Sequence, residues 1–191
     1  MRIDAQFDDE TRRPIGSRRM QPWKACIVLI AAMLLTSASA VAAPEAADAR
    51  PEAYTVTLPE AVERLQLAVR YLKDKGYRRI AIVSHNMGSR LSYAYMKRNP
   101  VEIDAWAALG MPSARDGHAP ALIYSGIRAP VLDLYGANDL PQVIAGAALR
   151  RVSLAGNAAS KQIVIAGSDH FFAGHERAMV NAVETFLDGV R

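Results

Sequence analysis

From residue 57 onward, short apolar runs alternate with stretches of helical periodicity, and this alternation leaves few folds open. Residues 79–83 (Arg-Ile-Ala-Ile-Val) form a nearly continuous apolar run, the pattern of a strand buried on both faces, and 103–109, 130–135 and 162–166 are the further strand candidates. Before the first run, Val62, Leu65, Val69 and Leu72 recur at helical spacing. Thr57 and Glu60 can form a capping box with Pro59 in the first turn, and Gly76 suits the helix end. A second helix is predicted over 87–98, with Leu91, Ala94 and Tyr95 inward and Asn99-Pro100 as its stop. A third helix covers the alanine-rich residues 140–154. A fourth covers 176–187, with Met179, Val180, Val183, Phe186 and Leu187 inside. Residues 121–129 carry only a weak helical turn, after a loop with Pro112, Gly117 and Pro120. The expected fold is α/β: a partial sheet of about four mostly parallel strands flanked by helices.

The N-terminal part reads differently. Six basic residues precede the apolar run Ala25-Cys-Ile-Val-Leu-Ile-Ala-Ala-Met-Leu-Leu35, and small residues follow it to Ala43. That succession fits a secretory signal peptide over 1–43, with cleavage after Ala40 or Ala42. Met20 is an alternative start that gives a shorter basic segment. Eleven apolar residues fall short of the roughly 20 that span a bilayer, so an uncleaved inner-membrane anchor is the second reading. The expected location is periplasmic or extracellular, with membrane contact only through an uncleaved segment. Residues 44–56, rich in Ala, Pro and Glu, read as a linker to a domain over 57–191.

Composition narrows the chemistry. The one cysteine, Cys26, lies in the apolar run, so the remainder is expected to form no disulfide and use no thiolate. The net charge of +4 belongs partly to the first segment, where six bases face four acids, and the balance falls to +2 beyond it. Arg78-Arg79, Lys97-Arg98 and Arg150-Arg151 are scattered and make no stripe for nucleic acid. No compact metal-ligand motif or glycine-rich phosphate loop occurs, so neither a metal nor another cofactor is expected.

Three polar clusters follow strand ends in order: Ser84-His-Asn-Met-Gly88, Gly136-Ala-Asn-Asp139 and Gly167-Ser-Asp-His170. Loops leaving the C-terminal ends of parallel strands share one rim of the sheet, so these clusters can meet there. Each residue also has a plain alternative. Asp139 suits a helix N-cap, His170 could be a hydrogen-bonded rim histidine, and His85 could be structural. Asp133, inside a strand, needs a partner if buried. His118 lies in a loop and His175 near the start of the last helix, where His170, His175 and an acid would be the one conceivable metal set.

The order of Asn86, Asp139 and His170 resembles the second half of an α/β-hydrolase, whose strand–turn–helix elbow carries Gly-x-Ser-x-Gly and whose acid and histidine come later. The chain is also similar in character to the bacterial family called domain of unknown function 3530. The resemblance implies His170 as general base, Asp139 as its orienting carboxylate and the Met87 N–H as an oxyanion donor. Asn86 departs from the pattern at the nucleophile position. A carboxamide has no hydroxyl to deprotonate, so acyl transfer through it is not available, although asparagine tolerates the positive φ of an elbow. Ser84 and Ser89 lie off the apex.

No counterpart of the superfamily's earlier strands, or of the loop that donates the second oxyanion N–H, is read before residue 57, so both are expected to be missing. That leaves the strand at 79–83 as a hydrophobic edge open to self-association. The sequence therefore suggests an exported hydrolase-like protein with impaired catalysis that binds a small acyl-containing ligand or interacts with a partner, or is vestigial. The alternatives are an unconventional hydrolase of small acyl esters and an envelope structural protein.

Overall fold

The structure is a computed structural model that describes residues 27–30, 51–112 and 124–190. Five strands, β1 (Ile27–Ile30), β2 (Ala81–His85), β3 (Ala105–Leu109), β4 (Val131–Asn138) and β5 (Lys161–Asp169), form one sheet in the order β1-β2-β3-β4-β5. Every neighbouring pair is parallel. Four helices accompany it: α1 (Pro51–Asp74), α2 (Met87–Arg98), α3 (Pro141–Leu154) and α4 (Glu176–Gly189).

The period-2 alternation of the strands divides the core between the two faces. Ile82, Trp106 and Val131 pack with Val62, Leu65 and Val69 of α1 and Tyr95 and Met96 of α2. Ala81, Val83, Ala105, Ala107, Leu109, Leu132 and Leu134 face the other way, against Val183, Phe186 and Leu187 of α4. Tyr135 meets Val143 and Ala147 of α3. β3 is buried along its whole length, which is why its sequence, Ala-Trp-Ala-Ala-Leu, has no polar face. The Trp106 indole N–H, fully buried, donates to Ser84 Oγ at 2.8 Å, so the largest core side chain leaves no polar atom unpaired.

All four strands read from the sequence are present, and two expectations, the open edge at 79–83 and the linker over 51–56, need correction. Ile27–Ile30, inside the run assigned to an export signal, pairs in register with Ala81–Ser84 of β2. A β-branched run satisfies a strand as well as a signal core, and composition does not separate the two. The rest of 1–43 lies outside the described residues. The expected open edge at residues 79–83 is consequently covered by β1. Finally, α1 begins at Pro51 rather than at Thr57, so 51–56 are helix, not linker. Pro51-Glu52-Ala53 is itself a sound helix start, with proline where its missing N–H costs nothing and an acid in the first turn. Residues 44–50 lie outside the described residues.

The buried Asp133 has its partner. Arg150 of α3 reaches both carboxylate oxygens through Nε at 3.0 and 2.9 Å. The Tyr124 hydroxyl and Gln162 Nε2 donate to the same carboxylate, each at 2.7 Å.

Candidate functional site

The rim at the C-terminal ends of β2 to β5 carries the polar groups. β2 runs into α2 through Asn86, whose φ of 52° and ψ of −117° form a sharp elbow. The conformation is held by Asn86 N–H donating to Leu109 O at 2.9 Å and Ser89 N–H donating to Asn86 O at 2.9 Å. Non-glycine residues rarely occupy positive φ, and asparagine is among those that do so most readily. The Asn86 side chain makes no capping bond to the helix. Met87, the expected oxyanion donor, is the first residue of α2, where backbone N–H groups have no intrahelical acceptor. No acidic side chain stands in that first turn. The segment following β1, where a second donor could arise, lies outside the described residues.

Asp139 and His170, which leave the ends of β4 and β5, come together. His170 Nδ1–H donates to Asp139 Oδ1 at 2.6 Å, and both side chains are almost wholly buried. Asp139 also accepts the Leu140 N–H at 2.7 Å and the Gly136 N–H at 3.2 Å. Burial pushes its pKa up, but the His170 hydrogen bond and the two backbone N–H groups outweigh it and hold the carboxyl below its ordinary value. The helix-cap alternative does not hold, because the N-cap of α3 is Leu140, followed by Pro141. His170 Nε2 is buried and has no hydrogen-bond partner among the described residues. With Nδ1 protonated toward Asp139, Nε2 is the basic nitrogen of the neutral ring.

Two glycines shape the rim. At Gly136 a Cβ would lie 2.4 Å from Ser168 O and 2.5 Å from Asp169 O. The close approach coincides with a register irregularity between Gly136 and Asn138, and it brings the end of β4 against the end of β5. Gly110, at φ 52°, would place a Cβ 2.8 Å from His170 Cε1. Gly110 and the ring contacts of His85 went unread in the sequence, since both depend on how far His170 reaches across the sheet.

Other candidates are placed elsewhere. Ser84 and Ser89 are buried at the strand–helix junction, with Ser89 Oγ donating to Ser84 O at 3.0 Å. Neither reaches the surface of the rim. His175 is the N-cap residue of α4, and His118 lies outside the described residues. Among the described residues, no three His, Cys, Asp or Glu side chains are grouped so as to hold a metal ion.

No family model and no curated protein matches the sequence. Solved structures do. A monoacylglycerol lipase of Paleococcus ferrophilus superposes with a TM-score of 0.55 at 14% identity, over 69% of this chain and 76% of that one. An alpha-beta serine hydrolase homologue from Coxiella burnetii gives 0.52 at 16% identity, over 68% and 58%. A predicted CIB-like hydrolase of Thermoplasma acidophilum gives 0.50 at 21% identity, over 67% and 58%. The chain has an α/β-hydrolase fold. It spans 58% of the length of the Coxiella and Thermoplasma proteins.

Proposed function

We propose that this α/β-hydrolase-like protein binds small acyl-containing ligands at the rim without forming an acyl-enzyme through residue 86. The observation that carries this reading is the carboxamide of Asn86 at the positive-φ elbow. That position would expose a nucleophile, and an amide cannot become an attacking oxygen by losing a proton to histidine. The neighbouring Asp139–His170 pair supports a polar site, since a buried imidazole nitrogen with no partner among the described residues can accept a hydrogen bond from a ligand.

The same Nε2 favours one alternative: a hydrolase in which His170 activates water directly, with Asp139 holding the ring. A panel of activated acyl esters separates the two. The binding reading expects turnover no different from that of His170→Ala. Turnover that His170→Ala abolishes would establish the water route instead. Asn86→Ser is expected to restore at most weak hydrolysis, because one oxyanion donor such as Met87 N–H supplies only part of the stabilisation.

Export is part of the proposal as well. Cleavage after Ala40 or Ala42 would remove β1 and reopen the β2 edge, so a chain starting there is expected to self-associate in size-exclusion chromatography. A stable monomer of that chain would show that the edge needs no cover.

A further inference from the structure

We propose that His85 is a positioning residue for His170, clamping it from the elbow side of the rim. His85 and the loop that carries His170 come from strands that are not neighbours, β2 and β5, yet their rings lie 4.5 Å apart at an interplanar angle of 40°. His85 Nε2 is 2.8 Å from the His170 backbone oxygen. A carbonyl only accepts, so Nε2 carries the proton and His85 has the Nε2–H tautomer.

Gly110 at the end of β3 completes the contact. A Cβ there would fall 2.8 Å from His170 Cε1, 3.0 Å from His170 Nδ1 and 3.3 Å from His85 Nε2. The missing side chain is what lets the two imidazoles meet above β3.

The loop that holds His170 needs such a clamp. Most of its hydrogen bonds are local: Phe171 and Ala173 N–H to Asp169 Oδ1, and His175 N–H to Phe172 O. Phe171 is exposed and Phe172 sits at φ 58°. Among the described residues, hydrogen bonds tie His170 to the rest of the rim at two points: its ring to Asp139, and its carbonyl to His85. The first fixes one ring nitrogen. The second fixes the peptide from which the ring projects, and so limits where Nε2 can point. The charged and titratable groups facing His85 are His170 and Asp139, with the Phe171 and Phe172 rings beside them.

The inference serves the rim site proposed above, but it is read on the His170 ring itself, so its outcome is separate from whether any ester is bound or hydrolysed. Nitrogen-15 NMR of the full chain should show His85 as the Nε2–H tautomer, and a Nδ1–H tautomer would overturn the assignment without any variant. His85→Phe keeps an aromatic face but loses the donor, whereas His85→Gln keeps a donor. In His85→Phe, water exchange of the His170 Nδ1 proton should be faster by about tenfold, the size expected from losing one hydrogen bond. In His85→Gln it should return most of the way to the wild-type rate. Equal exchange rates in both variants, whether fast or slow, would overturn the clamp.

Discussion

Asp133 and Asp139 sit on β4 and on the turn that leaves it, and both are screened from water, yet their surroundings differ in kind. Asp133 is saturated. Arg150, Tyr124 and Gln162 converge on its two oxygens from α3, from the segment before β4 and from β5. Arg150 is as fully buried as its partner, and it also donates through Nη1 to Val143 O at 2.9 Å. Asp139 is bound just as closely, but to an imidazole whose second nitrogen has no partner among the described residues. A guanidinium can only donate hydrogen bonds, whereas a neutral imidazole donates from one nitrogen and accepts at the other. One carboxylate is thus locked into a structural knot, and the other holds a group that can still exchange hydrogen bonds with something else.

That contrast can be broken in graded ways. Arg150→Met should cause the largest loss of stability, about 3–5 kcal/mol in chemical denaturation, because it strands the Asp133 charge in the core. A loss no bigger than that of an exposed substitution would mean that Tyr124 and Gln162 suffice. Asp139→Asn should be milder, about 1–3 kcal/mol, through the weakened bond to His170, and it should also change the acid limb of the stability curve. The Asp139 carboxyl is held below its unfolded value of about 3.9. Its contribution is therefore complete above that pH and disappears as the pH falls through the folded value. The variant curve should be flatter there, and two parallel acid limbs would refute the assignment.

The smallest effect belongs to His85. Burial, together with the neighbouring His170, holds its pKa below the ordinary histidine value despite its bond to the His170 carbonyl. Neutral His85 is favoured in the folded chain, so stability is full above an unfolded pKa of about 6.5 and declines as the pH drops toward the folded value. His85→Gln should remove part of that decline below about pH 6.5, as measured by melting temperature.

β2, β3 and β4 were legible because a strand buried on both faces must be apolar along its length, and β3 is the extreme case, whereas β5 is a short apolar run at the sheet edge. The pairing of Asp139 with His170 was foreshadowed because both follow strand ends on the same rim. The β1 strand was not legible as such. Its residues suit an export signal equally well, and their pairing with Ala81–Ser84 arises only once the sheet assembles. Arg150 as the partner of Asp133 was hidden for a similar reason. Nothing in Arg150-Arg151 tells which arginine turns inward until α3 is laid against β4 and Tyr135.

By itself, the sequence determined the layer type, the order of the strand-end clusters and the carboxamide at the elbow, because these depend on residue chemistry and local periodicity. Tertiary structure alone decided which edge β1 covers, which arginine neutralises Asp133, and that His85 touches His170 across β3. Those contacts depend on distances between segments far apart in the chain, and such distances exist only once the sheet has assembled.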